Sequence, residues 1–489
     1  MRPSPVIVSL LLVSLVLLSS TSRASEQGPA ALTTYSSSDW LNWARTAWQY
    51  YEPGVGVNRA SGLHRATLYW DCFTDWDLGT YLFSILFARK LNLIADGSRS
   101  GDWQFNDRIK KLLTFLQNRP MFGPMPYWAY DWATGAPCSN GRLTLSVKED
   151  QGRLLGALHA LVVFRPSYSS QVASILARSR SAYDALSTQL GTDYYSYLIA
   201  EGYATFGYNE SAIFDAMNSY ESGPSYSVYG QQLPQLSTLA EPFDLAILEG
   251  PMIGYAPSSA FLDFAHRDYL AQMGRWSGTG KLTAWSEGVY LPGINYVHEW
   301  VLETFTNPPE TWIVRDEFGK VYFQPQYPPF VYAKVAFSFL AIYGANAYTE
   351  ALVGSVLSLA GSDGFGEAVW ENGTSAFNAF NSQGDGGGFY SDKTNEQVLA
   401  AAEYAISHVS PLTSSLPMSS AGINSSSLST TEQSVGNSLS ISLSSQNSTD
   451  IPGLLWGSVI TGVMVGIWAM VMIRHKSPRA RDWEDDSKA

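Results

Sequence analysis

Cysteine, histidine and charge are all scarce in this chain, and each scarcity excludes something. Two cysteines and six histidines are spread over 489 residues. They form no HExxH motif and no paired spacing that would hold zinc. Charged residues make up only 15% of the chain and leave a formal net charge of −13. That balance argues against nucleic acid as a partner, because such affinity rests on cationic contacts to phosphate. No GxSxG elbow and no GxxxxGK[ST] phosphate loop occurs. Neither Cys72 nor Cys138 has a histidine nearby in sequence to act as its base. Asp385-Gly386-Gly387-Gly388 has neither a strand leading into it nor a lysine following in register. Asp363, Asp385 and Asp392 lie in a Gly-rich stretch, but their spacing fits no EF-hand loop. The sequence therefore implies no metal and no cofactor.

Long apolar runs are confined to the two ends. Arg2 precedes an apolar core from Val6 to Leu18, and Ser22-Arg23-Ala24 supplies a small-x-small cleavage site. These features predict a signal peptide over 1–24. Leu454 to Ile473 is an uncharged run long enough to span a bilayer, at about 20 residues. Arg474, His475, Lys476, Arg479 and Arg481 follow it. Basic flanks stay in the cytoplasm, so a transmembrane helix is expected over 453–474 with a cytoplasmic tail over 475–489. The expected partner of that helix is the lipid bilayer. The segment 411–452 is Ser-rich and almost free of aromatics, which reads as a flexible stalk. Residues 25–410 would then form an extracellular domain on a single-pass membrane protein. Both cysteines fall in it, where an oxidising compartment permits a disulfide without requiring one. Asn209, Asn372, Asn424 and Asn447 begin glycosylation sequons.

Within that domain the pattern is one of helix after helix. The helical stretches are 40–51, 75–94, 105–118, 148–164, 169–186, 192–207, 210–220, 241–250, 258–274, 294–305, 328–344, 347–361 and 394–408. Strand signals are confined to Thr311–Asp316 and Lys320–Pro325, which form a predicted hairpin over Glu317-Phe318-Gly319. No fixed-period repeat marks a solenoid. No linker divides the domain. Several helices are apolar nearly all round, as inner helices of a closed ring must be. The expected fold is all-α, an (α/α)6 toroid with a small β-hairpin insertion.

Aromatics make up 13% of residues, with 16 tryptophans. Carboxylates recur beside aromatics or glycine at helix starts and in loops. They are Asp77, Asp150, Glu201, Glu241, Glu249 and Glu287. Carboxylates among aromatic platforms suit glycoside hydrolysis, in which one acid protonates the leaving oxygen and one carboxylate activates water or attacks the sugar. Glu287 leads as general acid, because partial burial would raise its pKa. Asp77 and Glu241 lead as bases, and Glu201 and Asp150 are alternates. Trp76, Tyr203, Trp285, Tyr290 and Trp370 are the candidate sugar platforms. Each carboxylate also has a plainer reading as a helix cap or a loop cross-link.

The runs WDLGTYLFSILFARKLNLI, EDQGRLLGALHAL, YLIAEGYATFG, LAEPFDLAILEG and KTNEQVLAAAEYA, in this order, resemble an uncharacterised bacterial and archaeal family. Its members are similar to glucoamylase-like (α/α)6-toroid proteins, a group that includes glucanases acting on β-1,2-glucans. The resemblance covers about 40–408. It implies the toroid and an oligo- or polysaccharide partner, and supplies no catalytic assignment. The leading expectation is a membrane-anchored extracellular glycoside hydrolase. The alternative is a non-catalytic glycan-binding or structural envelope protein.

Overall fold

The computed structural model describes residues 35–97, 99–138, 144–288, 296–316, 319–322, 330–371 and 390–408. The chain divides into two units, Met1–Met418 and Ser419–Ala489, and all described residues belong to the first. The expected signal peptide, stalk, transmembrane helix and tail lie outside the described residues, as do Tyr290 and Asn372. Among the described residues, no helix is long and apolar enough to cross a membrane.

Six helices close into a ring. They are Asp75–Lys90, Lys148–Phe164, Tyr194–Ala204, Glu241–Ile253, Ala333–Tyr343 and Asp392–Ser407. Each packs on the next, and the sixth packs back on the first. Most side chains of these helices are buried, on every face. A helix with that pattern is stable only when surrounded. An outer layer does the surrounding, through Ser37–Trp48, Phe105–Asn118, the pair Ser169–Arg178 and Arg180–Ser187, Ser211–Tyr220, Ser259–Thr279 and Ala347–Val356. Outer and inner helices alternate along the chain, so the domain is an (α/α)6 toroid. Glycine allows the tightest inner contact. A Cβ at Gly202 would stand 2.0 Å from the Gly152 carbonyl oxygen, so the second and third inner helices meet where neither has a side chain.

Local signals set the helix ends. Thr74 caps the first inner helix, and Asp77 closes a capping box back onto it. Ser36 does the same for the first outer helix with Asp39, in place of the cap expected at Ser38-Asp39. Pro166 follows the end of the second inner helix, where a continued helix would lose a hydrogen bond.

Three expectations are corrected. The helix expected over 294–305 does not form among the described residues, since Val297–Glu303 is a strand. It joins Glu287–Gly288, Glu310–Asp316 and Val321–Tyr322 in a four-stranded antiparallel sheet. The predicted hairpin is therefore the edge of a larger sheet. Five two-stranded ribbons add further β structure among the described residues. The stretch 169–186 is two helices, broken at Ser179.

Cys72 and Cys138 form a disulfide with a Cα–Cα distance of 6.3 Å. It secures a ribbon in which Cys72–Thr74 pairs with Ala129–Asp131.

Candidate active site

The inner helices begin at one end of the ring, and a cleft of about 980 Å³ opens there. Asp77 and Asp150 line it from the third positions of their helices. Asp193 caps a third helix, and Asp392 and Lys393 open the sixth. The sheet contributes Glu287, His298 and Trp300, and Tyr296 stands just before the strand Val297–Glu303. Trp76 lines the wall between, with Lys393 Nζ 5.5 Å and the Arg153 guanidinium 5.2 Å from its ring centre.

The β-ladder builds the centre of the site. Glu287 lies directly across from His298 in register. His298 Nε2 is 3.1 Å from Glu287 Oε2. The Tyr296 hydroxyl donates to Glu287 Oε1 at 2.8 Å, and Lys393 Nζ stands 3.9 Å from that oxygen. Lys393 also donates to the Tyr296 hydroxyl at 3.0 Å. Gly288 is required beside this cluster. Its φ is +138°, and a Cβ there would come within 2.6 Å of Glu367 Oε1.

The surroundings push the pKa values of these carboxyls in opposite directions. Burial pushes Glu287 up, but the positive charge and hydrogen bond of His298, with Lys393 and Lys334 beyond, outweigh it and hold Glu287 well below the usual range. The expectation of a raised pKa at Glu287 is thus reversed, because its neighbours are cations. Asp150 is the opposite case. Burial, then the negative charges of Asp77 and Asp75, drive it well above the usual range. Its Oδ2 is buried with no hydrogen-bond partner among the described residues. A helix N-terminus favours an anion by about 0.3–2 kcal/mol. Full burial shifts a carboxyl by up to about 3–5 pKa units, at roughly 1.4 kcal/mol each, so burial prevails at Asp150. Asp77 is raised too, by burial, while Lys393 and the Thr74 backbone and hydroxyl draw it down. Asp392 is raised well above its usual value by burial and by Asp77. His64 Nε2 lies 3.1 Å from its Oδ2, and burial lowers His64 to about 3, so this histidine is neutral.

Three carboxylates singled out in the sequence line the cleft, Asp77, Asp150 and Glu287. The other three are buried behind it. Glu241 is paired with Lys334 and accepts from the Ser286 hydroxyl at 3.2 Å. Glu249 is paired with Arg153, which also lies 3.5 Å from Glu396. Glu201 is fully buried, and burial and Glu249 raise its pKa well above normal. Its neighbour Gly202 marks a helix–helix contact, not a catalytic turn. Among the expected platforms, Trp76 lines the cleft. Trp285 is fully buried beneath the Arg275 guanidinium. Tyr203 is buried and donates to the Lys148 carbonyl at 3.1 Å. Trp370 stacks on Phe330 at 4.4 Å. None of these last three lines the cleft. Sequence reasoning missed Tyr296, His298 and Lys393, and weighed Asp392 only against a calcium loop. For Asp392-Lys393 a signal existed, since Ser391 caps a helix that starts with a carboxylate, like Thr74 before Asp75.

A family model described as "Protein of unknown function (DUF3131)" matches residues 42–387. The chain belongs to the DUF3131 family. A search of curated proteins finds no match to this DUF3131 chain. Among solved structures it is similar to the endo-β-1,2-glucanase of Chitinophaga pinensis, determined with sophorotriose and glucose. The TM-score is 0.50 at 13% identity, over 76% of this chain and 94% of that one. The endo-β-1,2-glucanase of Talaromyces funiculosus with sophorose gives 0.50 at 10% identity, over 76% and 87%. A candidate glucoamylase from Bacteroides caccae gives 0.51 at 11% identity, over 76% and 94%. At these identities the likeness is one of fold: this DUF3131 protein has the glucoamylase-like toroid that β-1,2-glucanases share.

Proposed function

We propose that this protein is a glycoside hydrolase that works at the outer face of a cell membrane. One observation carries the reading: two carboxyls whose surroundings drive their pKa values in opposite directions, Glu287 and Asp150, line one aromatic cleft. Pairs whose environments drive their pKa values apart are how a site assigns its acid and its base. Asp150 holds the proton that passes to the leaving glycosidic oxygen. Glu287, held as the anion, takes a proton from the attacking water or attacks the anomeric carbon itself. Either route adds one water across one glycosidic bond. Asp77 and Lys393 tune the pair, the one raising Asp150 and the other holding Glu287 ionised. The choice of Glu287 as the anion, not the acid, follows from His298 and Lys393.

The charge of the cleft selects a substrate class. Apart from the carboxyls whose pKa is raised, Glu149, Asp193, Glu287 and Glu367 line it, against Lys393 and His298. A surplus of carboxyls repels polyanions, so the substrate is a neutral glycan. The β-1,2-glucanases with the same fold support a glucan. A screen of the full chain in detergent against neutral α- and β-glucans and a uronate polymer tests this. Reducing ends should appear from a neutral glucan and not from the polyuronate. Tight binding of a glucan without release of ends would favour a binding protein instead.

The outer location rests on the sequence runs at 1–24 and 453–474, and the Cys72–Cys138 disulfide supports it. Protease added to intact cells should degrade the domain and leave a short anchored fragment. A fully protected domain would refute the placement.

A further inference from the structure

We propose that Trp70 and Trp128 form a sugar-binding platform at the mouth of the cleft, held in place by the Cys72–Cys138 disulfide. The proposal rests on the glycan reading above and names a subsite within it.

Both indoles line the cleft, and their ring centres are 5.6 Å apart at an interplanar angle of 37°. Trp128 is 38% exposed, and the adjacent Tyr69 is 44% exposed. Neither tryptophan belongs to the hydrophobic core or to the partly buried residues packed against it. Exposed apolar surface costs about 25 cal/mol per Å² relative to burial, so the exposed part of Trp128 adds nothing to stability. A ligand face would cover it. Aromatic rings take the C–H faces of hexopyranoses, which are flat, apolar and edged by hydroxyls.

The backbone under the pair is fixed. The Tyr69 and Trp70 amides donate to the Thr67 hydroxyl at 3.2 and 3.1 Å. The Trp128 amide donates to the Thr144 carbonyl at 2.8 Å. Trp70 stands two residues before Cys72, and Trp128 one residue before Ala129, at the ends of the paired strands Cys72–Thr74 and Ala129–Asp131. The Cys138 amide returns to the Ala129 carbonyl at 2.9 Å, and its sulfur closes the clamp onto Cys72. The disulfide therefore joins the two segments that carry the indoles. A rigid platform loses little side-chain entropy when a sugar docks, and binds more tightly for that reason.

This wall is separate in sequence from the sheet that carries Glu287. In this proposal the pair holds a sugar beyond the cleaved linkage, so the ligand is an oligosaccharide of neutral hexopyranoses longer than a disaccharide.

The test is calorimetry on the full chain in detergent, with E287Q to prevent turnover. Gluco-oligosaccharides of the linkage that the enzyme cleaves are compared from the disaccharide upward. Affinity should rise with length to a plateau. Trp128→Ala should cost about 2–10-fold on the long ligands, a loss of about 0.5–1.5 kcal/mol, and progressively less on shorter ones. Trp128→Phe should restore most of it. A folded Cys72→Ser/Cys138→Ser protein should show the same length-dependent loss. Glycan binding that ignores Trp128→Ala at every length overturns the platform and leaves the hydrolase reading standing. No glycan binding by the unsubstituted chain overturns both.

Discussion

His298 Nε2 stands 3.1 Å from Glu287 Oε2, directly across a β-ladder from it. The pairing decides which form Glu287 takes. Burial alone would raise this carboxyl, and the Coulombic pull and hydrogen bond of His298, with Lys393 and Lys334 beyond, reverse the direction. Replacing His298 with Gln keeps a hydrogen-bond donor and removes the charge. The Glu287 pKa should then rise, and the acid limb of the kcat/KM profile should move to higher pH. An unmoved acid limb in a folded, active His298→Gln protein would separate Glu287 from the rate.

Asp150 sets the other limb. Its raised pKa keeps it protonated into the range where ordinary carboxyls are ionised, so activity should fall as pH rises through that value. Asp150→Asn should abolish this limb and lower kcat by about 10²–10⁴-fold on a substrate with a poor leaving group. An aryl glycoside with a good leaving group should lose far less. Equal losses on both would mean that Asp150 holds structure and does not deliver a proton.

A second buried carboxyl gives a stability test away from the cleft. Asp268 is raised to about 7 by burial, and Gln272 donates to its Oδ2 at 2.8 Å. The folded state keeps this proton above pH 4, where the unfolded chain has released it. Asp268 therefore supports the fold fully below the unfolded pKa of 3.8, and that support is lost as pH rises towards about 7. The loss amounts to about 4 kcal/mol at most, from three pKa units. Asp268→Asn should gain stability relative to the parent at pH 8 compared with pH 4, as read by urea unfolding. The same difference at both pH values would contradict the shift.

The disulfide closes a separation of 66 residues. Replacing both cysteines with serine should cost about 2–4 kcal/mol. The check is the thermal midpoint of the double variant against that of the oxidised parent. An unchanged midpoint would leave the bridge without a stabilising role.

Much of the toroid was legible because its helices carry their own punctuation. Phe105–Asn118 and Lys148–Phe164 fall where their periodicity and the following Pro120 and Pro166 place them. Val297–Glu303 was not legible. Val297, Trp300 and Val301 mimic helical spacing, and only pairing with Glu310–Asp316 makes the segment a strand. The site divides the same way. Asp77, Asp150 and Glu287 stand out as carboxylates beside aromatics or glycine. Glu201 and Glu249 carry the same local signal, yet closure of the ring buries them. His298 and Lys393 reach Glu287 only through the sheet and the last inner helix, which adjacent residues do not announce.

The central claim is that this cleft hydrolyses a neutral glycan with Glu287 as its working carboxylate. The most direct measurement is release of reducing ends from a panel of neutral glucans by the full chain and by Glu287→Gln, with folding of both verified by circular dichroism. The expected result is release from at least one glucan by the parent, and a rate lower by about 10²–10⁴-fold in the variant. Equal release by both proteins, or none by the folded parent from any glucan, would contradict the account.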